Sequence, residues 1–136
     1  MIQQVEFTLK KYQRGFHLIT SEVLTQLPKL PENGLLHLLI KHTSAGLSLN
    51  ENADPSVRDD FEVFINKLIP ENHPLYTHLF EGADDMPAHI KSSLFGAELS
   101  ISITNHKLNL GNWQGIYLCE FRNHGGHRHI VATIIS

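Results

Sequence analysis

Apolar and polar residues alternate along several stretches of the chain, and this alternation predicts β-strands. Near the N-terminus, Val5, Phe7 and Leu9 are separated by polar residues, which is the two-residue period of a half-buried strand. Residues 35–40 are apolar on both faces apart from His37, so this stretch is predicted to be a central strand. Similar patterns predict strands at residues 16–19, 47–49, 99–103, 108–110, 115–121 and 130–135.

Two stretches carry the start signals of α-helices. Asp54-Pro55 combines a good N-cap with a proline suited to the first helical position. Five apolar residues then fall on one helical face: Val57, Phe61, Phe64, Ile65 and Leu68. The other helix is predicted to begin at Met86-Pro87 with Asp85 as its N-cap, and to end at Gly96.

Strands outnumber helices and do not alternate strictly with them. This order predicts an α+β fold, a single compact domain over residues 1–136 with a mostly antiparallel sheet and two substantial helices. The net charge of −3 and the pI near 6.3 argue against a general nucleic-acid binder. No apolar run is long enough to span a membrane, and no signal peptide precedes the first strand, so a cytoplasmic protein is expected. The single Cys119 lies in an apolar run and is expected to be a core residue.

The ten histidines raise the expectation of metal or acid–base chemistry. His78, Asp85 and His89 lie around a predicted helix start, and His42 follows the predicted central strand. A catalytic zinc takes three protein ligands, so His42, His78 and His89 are the candidate metal ligands, although their spacing matches no standard zinc motif. Ligation without thiolates suits zinc, nickel, iron or manganese, and zinc is the expected metal. Asp85 is either a simple helix cap or a carboxylate that orients an imidazole.

Glu120 is the most informative single residue of the second half of the chain. It shares a face of a largely apolar strand with Ile116 and Leu118, so it is expected to be at least partly buried. A buried carboxylate requires a cation, a metal or several hydrogen-bond donors. The alternative is a glutamate on an edge strand that points to water.

Further candidates for ligand binding lie on either side of Glu120. In the segment 122–129, Gly125-Gly126 allows a concave turn of backbone N–H groups, and Arg128 offers a planar fork for phosphate or carboxylate. A glycine-rich hairpin with solvated basic residues would look the same. Trp113-Gln114 is either a stacking platform with an amide beside it or a hydrophobic filler.

Four ordered motifs together resemble the YjbQ family, and the resemblance covers nearly the whole chain. They are His-Thr-Ser-Ala at 42–45, Asn-Glu-Asn-Ala-Asp-Pro at 50–55, Gly-Ala-Asp-Asp-Met-Pro-Ala-His-Ile-Lys-Ser-Ser at 82–93 and Leu-Gly-Asn-Trp-Gln-Gly at 110–115. The resemblance implies a small α+β homotrimer with a polar cleft, a bound metal in some members, and a secondary thiamine-phosphate synthase activity. The family's recurrent polar positions fall here on His42, Asn52, His78, His89, Trp113, Gln114, Glu120 and Arg128. Where many members follow the glutamate with an Asp-Gly-Pro-Arg-like segment, this chain has Arg-Asn-His-Gly-Gly-His-Arg at 122–128.

Two functional hypotheses follow. In the first, the protein is an enzyme for a phosphorylated small molecule, with a metal on the three histidines and with Asp85, His89 and Glu120 as catalytic residues. Glu120 would serve as a fourth ligand or a general base, and the predicted substrate-binding residues are Asn52, Trp113, Gln114, Gly125, Gly126 and Arg128. In the second, the protein is a trimer that binds a metabolite or a metal without turnover.

Overall fold

The computed structural model describes residues 1–136 and contains eight strands and three helices. In chain order these are β1 (Ile2–Thr8), β2 (Gly15–Leu18), α1 (Thr20–Gln26), β3 (Asn33–Ile40), β4 (Ala45–Glu51), α2 (Pro55–Leu68), α3 (Asp85–Phe95), β5 (Glu98–Thr104), β6 (Lys107–Leu108), β7 (Gln114–Glu120) and β8 (His129–Ile135). The predicted α+β class, the single compact domain and the two substantial helices are confirmed. No helix is both long and apolar enough to cross a membrane.

The strands form two sheets rather than the single sheet that the sequence pattern suggested. One sheet has five strands in the order β1-β8-β3-β5-β6, and the other has three in the order β2-β7-β4. Every strand pairing is antiparallel. The apolar stretch at 35–40 lies in β3, between β8 and β5, which confirms the predicted central strand.

Strand β7 is buried on both faces because it lies between the five-stranded sheet and the helices. Ile116 and Leu118 belong to the main core between the two sheets. Tyr117, Cys119 and Phe121 face the other way and pack with side chains of α2 and α3. Cys119 is therefore the core residue that the sequence predicted, and burial raises the pKa of its thiol.

Helix α2 begins as predicted but buries only part of its apolar stripe. The Asp54 carboxylate accepts a hydrogen bond from the Ser56 N–H at 2.9 Å, and Pro55 occupies the first turn. Phe61 and Ile65 pack against the second core cluster, whereas Phe64 and Leu68 are exposed. Part of the apolar stripe of α2 is therefore left uncovered within one chain.

Helix α3 carries the candidate site and is held against the end of β4. Its C-terminal Gly96 has a φ of 94°, and its carbonyl oxygen would lie 2.9 Å from a Cβ placed on Gly46. The Ser92 hydroxyl donates to the Ala45 carbonyl at 2.8 Å. Only a glycine at position 46 permits this close approach without a shift of the helix end.

The prediction that Asp85 caps α3 is wrong. Asp84 occupies the N-cap position, and Asp85 is the first residue of the helix. The Asp84 side chain makes no capping hydrogen bond either, because its carboxylate is bonded elsewhere. Both aspartates are therefore available for the contacts described next.

Candidate functional site

The carboxylate of Asp85 is the centre of the candidate site. The residue is 1% exposed, and both of its carboxylate oxygens accept hydrogen bonds. Oδ1 accepts from Arg122 Nη1 at 2.6 Å. Oδ2 lies 2.8 Å from His78 Nε2 and 3.2 Å from His89 Nε2. A loop, a helix and the segment after β7 thus converge on one buried negative charge.

Arg122 and Asp84 fix the position of the Asp85 carboxylate. Arg122 Nε donates to Asp84 Oδ2 at 2.9 Å, and its Nη2 donates to the Glu81 carbonyl at 2.8 Å. The Asn123 N–H donates to the same Asp84 oxygen at 2.9 Å. Although burial alone raises the pKa of Asp84, these hydrogen bonds and the guanidinium charge hold it below its ordinary value. Asp84 is therefore ionised near neutral pH and fixes the orientation of the guanidinium.

The hydrogen bond of His89 Nδ1 decides the tautomer of the ring and thereby the role of Nε2. Nδ1 lies 2.9 Å from the Thr43 carbonyl oxygen, which can only accept, so Nδ1 carries a hydrogen. In the neutral ring, Nε2 then presents a lone pair to Asp85 Oδ2, which is also an acceptor. Either a proton or a bound cation is needed to make this contact favourable.

The three side chains form a group that could hold a divalent metal ion. Their ligand atoms all lie within 4.8 Å of one another. Ligands at about 2.1 Å from a tetrahedral zinc are about 3.4 Å apart, which is longer than the 2.8 and 3.2 Å contacts of Asp85 Oδ2, so a bound metal would require a small outward shift of the side chains. Two imidazoles and a carboxylate suit zinc and other divalent transition metals. The Arg122 hydrogen bond to Asp85 and the Thr43 hydrogen bond to His89 are the kind of outer contacts that orient metal ligands.

His42 does not belong to this group, which corrects the predicted third ligand. Its Nε2 accepts a hydrogen bond from the His129 backbone N–H at 2.8 Å, so that lone pair is already used. Burial is the main cause of a lowered pKa for His42, with further lowering by the Arg128, His129 and Lys41 charges and an opposing effect of Glu120. The neutral ring then carries its hydrogen on Nδ1. In the group of side chains that could hold a metal, Asp85 stands with His78 and His89, and His42 does not.

Glu120 is buried as predicted, and its partner is Arg128. The two residues are 0% and 4% exposed. Arg128 Nε donates to Oε1 at 2.7 Å, and Arg128 Nη2 donates to Oε2 at 2.6 Å, which is the bidentate geometry of a strong pair. Because Glu120 ends β7 and Arg128 precedes β8, the pair joins the two sheets.

This pairing corrects the roles predicted for both residues. The Arg128 fork is turned to Glu120 and, through Nη2, to the Ser44 carbonyl at 3.2 Å, so it does not face a ligand in the glycine turn. Glu120 also accepts from the Arg122 N–H at 3.1 Å and is not among the residues grouped with His78 and His89. In this geometry Glu120 is engaged by Arg128 and Arg122, and its role as a fourth metal ligand or a general base stays a prediction.

Gly125 and Gly126 form the turn beside the Glu120–Arg128 pair. A Cβ on Gly125 would overlap the Glu120 carboxylate, so only glycine leaves room for it. Gly126 has a φ of 70°, a left-handed conformation that glycine adopts without strain. Both line a cavity of about 290 Å³ with Tyr12 and His124, apart from Arg128. Their predicted role in binding an anion together with Arg128 is not supported.

The other predicted substrate-binding residues lie at the opposite end of the three-stranded sheet. In the pairing of β4 with β7, Ala45 faces Glu120 at one end and Glu51 faces Gln114 at the other. Six residues of strand correspond to about 20 Å. Asn52 and Gln114 line a cavity of about 770 Å³ there, and Trp113 is exposed beside them. Within one chain, the predicted site residues therefore fall into two places.

The sequence reasoning missed the contributions of Arg122 and Asp84. Both stand in the quoted motifs and segments, but two adjacent aspartates gave no signal as to which one is buried. An arginine two residues after a predicted buried glutamate was the only available hint of Arg122.

The comparisons with known proteins agree with this fold. A family model described as "UPF0047 protein YjbQ-like" matches residues 5–136, and the chain belongs to this family. It is 52% identical over 136 residues to the UPF0047 protein YjbQ of Escherichia coli O157:H7 and 54% identical over 136 residues to that of Salmonella typhimurium LT2, with 98% of each chain covered in both cases.

Solved structures of relatives give the same result. An uncharacterised YjbQ/UPF0047-family protein from Clostridium acetobutylicum is 37% identical, with a TM-score of 0.81 over 96% of this chain and 99% of that one. A conserved hypothetical protein from Thermus thermophilus is 34% identical, with a TM-score of 0.81 over 93% of this chain and 97% of that one. The comparisons thus identify a family whose members are described as uncharacterised.

The Glu120–Arg128 pair leads to a prediction about stability. Replacing Glu120 with Gln leaves the Arg128 charge buried without a partner, and we expect a loss of about 3–5 kcal/mol in the free energy of unfolding. Arg128→Met should cost a similar amount. The double variant Glu120→Gln/Arg128→Met should cost clearly less than the sum of the two single costs, because no unpaired charge remains. Urea unfolding of the four proteins measures the cycle, and strictly additive costs would contradict the pairing.

Proposed function

We propose that this protein is an enzyme that uses a divalent metal, preferably zinc, to act on a phosphorylated small molecule. The observation that carries the proposal is the convergence of His78, Asp85 and His89, whose ligand atoms lie within 4.8 Å of one another. These residues would hold the metal. A metal bound there would supply positive charge to a phosphate-bearing substrate and lower the pKa of a bound water.

The residues around the site support access as well as binding. The side chains of His78 and His89 are partly exposed, while Asp85 is buried. Two cavities flank the group: one of about 380 Å³ lined in part by His89, and one of about 260 Å³ lined in part by His78. Arg122 keeps Asp85 oriented, and the Thr43 carbonyl fixes the ring of His89. A small molecule can therefore approach the exposed edges of both imidazoles.

A secondary thiamine-phosphate synthase activity is part of the proposal and rests on the family resemblance. That reaction joins a pyrimidine pyrophosphate to a thiazole phosphate and releases pyrophosphate, so it benefits from positive charge near the leaving group. Because Glu120 is tied to Arg128, it is not available to exchange a proton with a substrate.

The alternative is a binding protein that holds a metal or a phosphorylated metabolite without turnover. One observation favours it: the buried carboxylate that best suited a general base, Glu120, is fully engaged in a structural ion pair. The same His78–Asp85–His89 group would serve this alternative. Turnover, rather than binding, separates the two.

We further propose that the chain assembles into a homotrimer. Large apolar side chains are exposed on α2 and on the loop that carries His78, among them Phe64 at 73% and Leu75 at 82%. Exposed apolar surface of this kind is typical of a protein–protein interface. The number of three subunits follows from the family resemblance.

Metal binding is the first test of the proposed function. In protein purified without an affinity tag, zinc should bind near one equivalent per chain, and His89→Ala should lose most of this affinity. Arg122→Gln should weaken binding by about 10–100-fold, because it removes the hydrogen bond that orients Asp85. The exposed His124→Ala is the control and should bind zinc as wild type does. A competitive titration against a chromophoric chelator measures all four, and undiminished binding by His89→Ala would rule the site out.

Turnover is the second test. Zinc-loaded protein given a pyrimidine pyrophosphate and a thiazole phosphate should release pyrophosphate slowly, and a chelator or the His89→Ala substitution should stop the release. A coupled assay for pyrophosphate measures this release. Zinc and phosphate binding without any release would support the binding protein instead.

The state of assembly is the third test. Light scattering should give a mass of about 46 kDa, three times the chain mass of 15.4 kDa. Phe64→Asp should lower the mass toward that of one chain, whereas Phe64→Tyr, which keeps an aromatic ring, should not. A wild-type protein that is monomeric at high concentration would refute the assembly.

A further inference from the structure

His42 is fixed in one tautomer by the strand beside it. It lies two residues after β3, and β8 begins alongside, where Ile40 pairs with Ile130. The His129 backbone N–H donates to His42 Nε2 at 2.8 Å. A backbone amide can only donate, so Nε2 must be unprotonated, and the hydrogen of the neutral ring is on Nδ1.

The surroundings keep this ring neutral. His42 is half-buried, and its ring stacks on that of His129 at a centroid distance of 5.6 Å and an interplanar angle of 15°. Burial and the charges of Arg128, His129 and Lys41 lower the pKa of His42, and the Glu120 charge only partly offsets them. Protonation of Nε2 would also break the hydrogen bond from the His129 amide. Near neutral pH the ring is thus a neutral donor, a state that other enzymes use to bind a developing oxyanion.

The Nδ1–H of His42 has no acceptor within the chain, and His42 lines, together with His89, a cavity of about 380 Å³ next to the His78–Asp85–His89 group. The other polar side chains of this cavity are Thr43, His89, Ser92 and Ser93, and no carboxylate lines it. The Ser92 hydroxyl is used by the Ala45 carbonyl, whereas Ser93 is exposed. The lining therefore offers neutral donors and no negative charge.

We propose that this cavity binds an oxyanionic group of the ligand, a phosphoryl or pyrophosphoryl group, and that His42 donates a hydrogen bond to it through Nδ1. The proposal rests on the proposed function, since it places the phosphate of the substrate beside the metal-ligand residue His89. It gives His42 the role of a binding residue rather than of a metal ligand. The donor is directional, because the His129 amide holds the ring in place.

Two amide substitutions, His42→Gln and His42→Asn, distinguish the contributions of the two ring nitrogens of His42. In His42→Gln, the amide oxygen reaches the position of Nε2 and still accepts from the His129 N–H, but the donor at Nδ1 is lost. In His42→Asn, the amide nitrogen lies near the position of Nδ1 and still donates, but the acceptor for His129 is lost. Inorganic phosphate is the probe, titrated by calorimetry into metal-free and zinc-loaded protein.

We expect His42→Gln to weaken phosphate binding by about 10–100-fold, as for a lost hydrogen bond to a charged group. His42→Asn should retain phosphate affinity within a few-fold although it is the less stable variant in urea. Zinc affinity should be unchanged in both variants. In long-range ¹H–¹⁵N spectra of the wild-type imidazoles, His42 should show the Nδ1–H tautomer.

Equal phosphate affinity in wild type and His42→Gln would overturn the proposal, and so would an Nε2–H tautomer or a wild type that binds no phosphate. A wild type that binds phosphate through His42 but no zinc would support the role of His42 and refute the metal site. Failure of the His42 anion site and failure of the proposed metal site therefore give different results.

Discussion

The buried negative charge of Asp85 is the constraint on which the candidate site depends. A carboxylate that is 1% exposed must be compensated, because burial otherwise favours its neutral form. Its position in the first turn of α3 gives some compensation from the helix dipole. The rest comes from Arg122, His78 and His89, which belong to three different parts of the chain. One charge thus gathers a loop, a helix and the segment after β7 into a single site.

The second buried carboxylate, Glu120, is enclosed by its partners instead of being shared with exposed side chains. Glu120 is satisfied by Arg128 and by the Arg122 N–H, so the Glu120–Arg128 pair connects the two sheets and is not open to a ligand. Asp85 shares its charge with two partly exposed imidazoles, which leaves the contact open to a proton or a metal. Sequence reasoning assigned catalytic chemistry to both carboxylates, and the difference between them lies entirely in their partners.

The same reasoning separates the two histidines next to the cavity beside α3. The Thr43 carbonyl requires a hydrogen on Nδ1 of His89 and so leaves Nε2 as a lone pair for a cation. The His129 amide requires a lone pair on Nε2 of His42 and so leaves Nδ1 as a donor for an anion. A metal and a phosphate group side by side would be matched by these two rings. The tautomer of each neutral ring follows from which backbone group it contacts.

Local patterns predicted the elements well. The Asp54-Pro55 start of α2 and the apolar run of β3 depend on neighbours in sequence, and both are confirmed. The partnership of Glu120 with Arg128 could not be predicted, because it arises only when the strands divide into two sheets and the start of β8 comes beside the end of β7.

Distances within the site were also beyond the reach of the sequence. Asn52 and Gln114 belong to the same set of motifs as His42 and His89, yet they lie at the end of β4 opposite Ala45, a strand length of about 20 Å away. The choice between Asp84 and Asp85 as the buried residue was equally hidden, since either aspartate could precede the helix.

The most direct test of the central claim is anomalous diffraction from crystals of the zinc-loaded protein, recorded above and below the zinc absorption edge. On our proposal we expect one strong peak per chain at about 2.0–2.2 Å from His78 Nε2, Asp85 Oδ2 and His89 Nε2. No peak at full zinc loading, or a peak on other residues, would contradict the account.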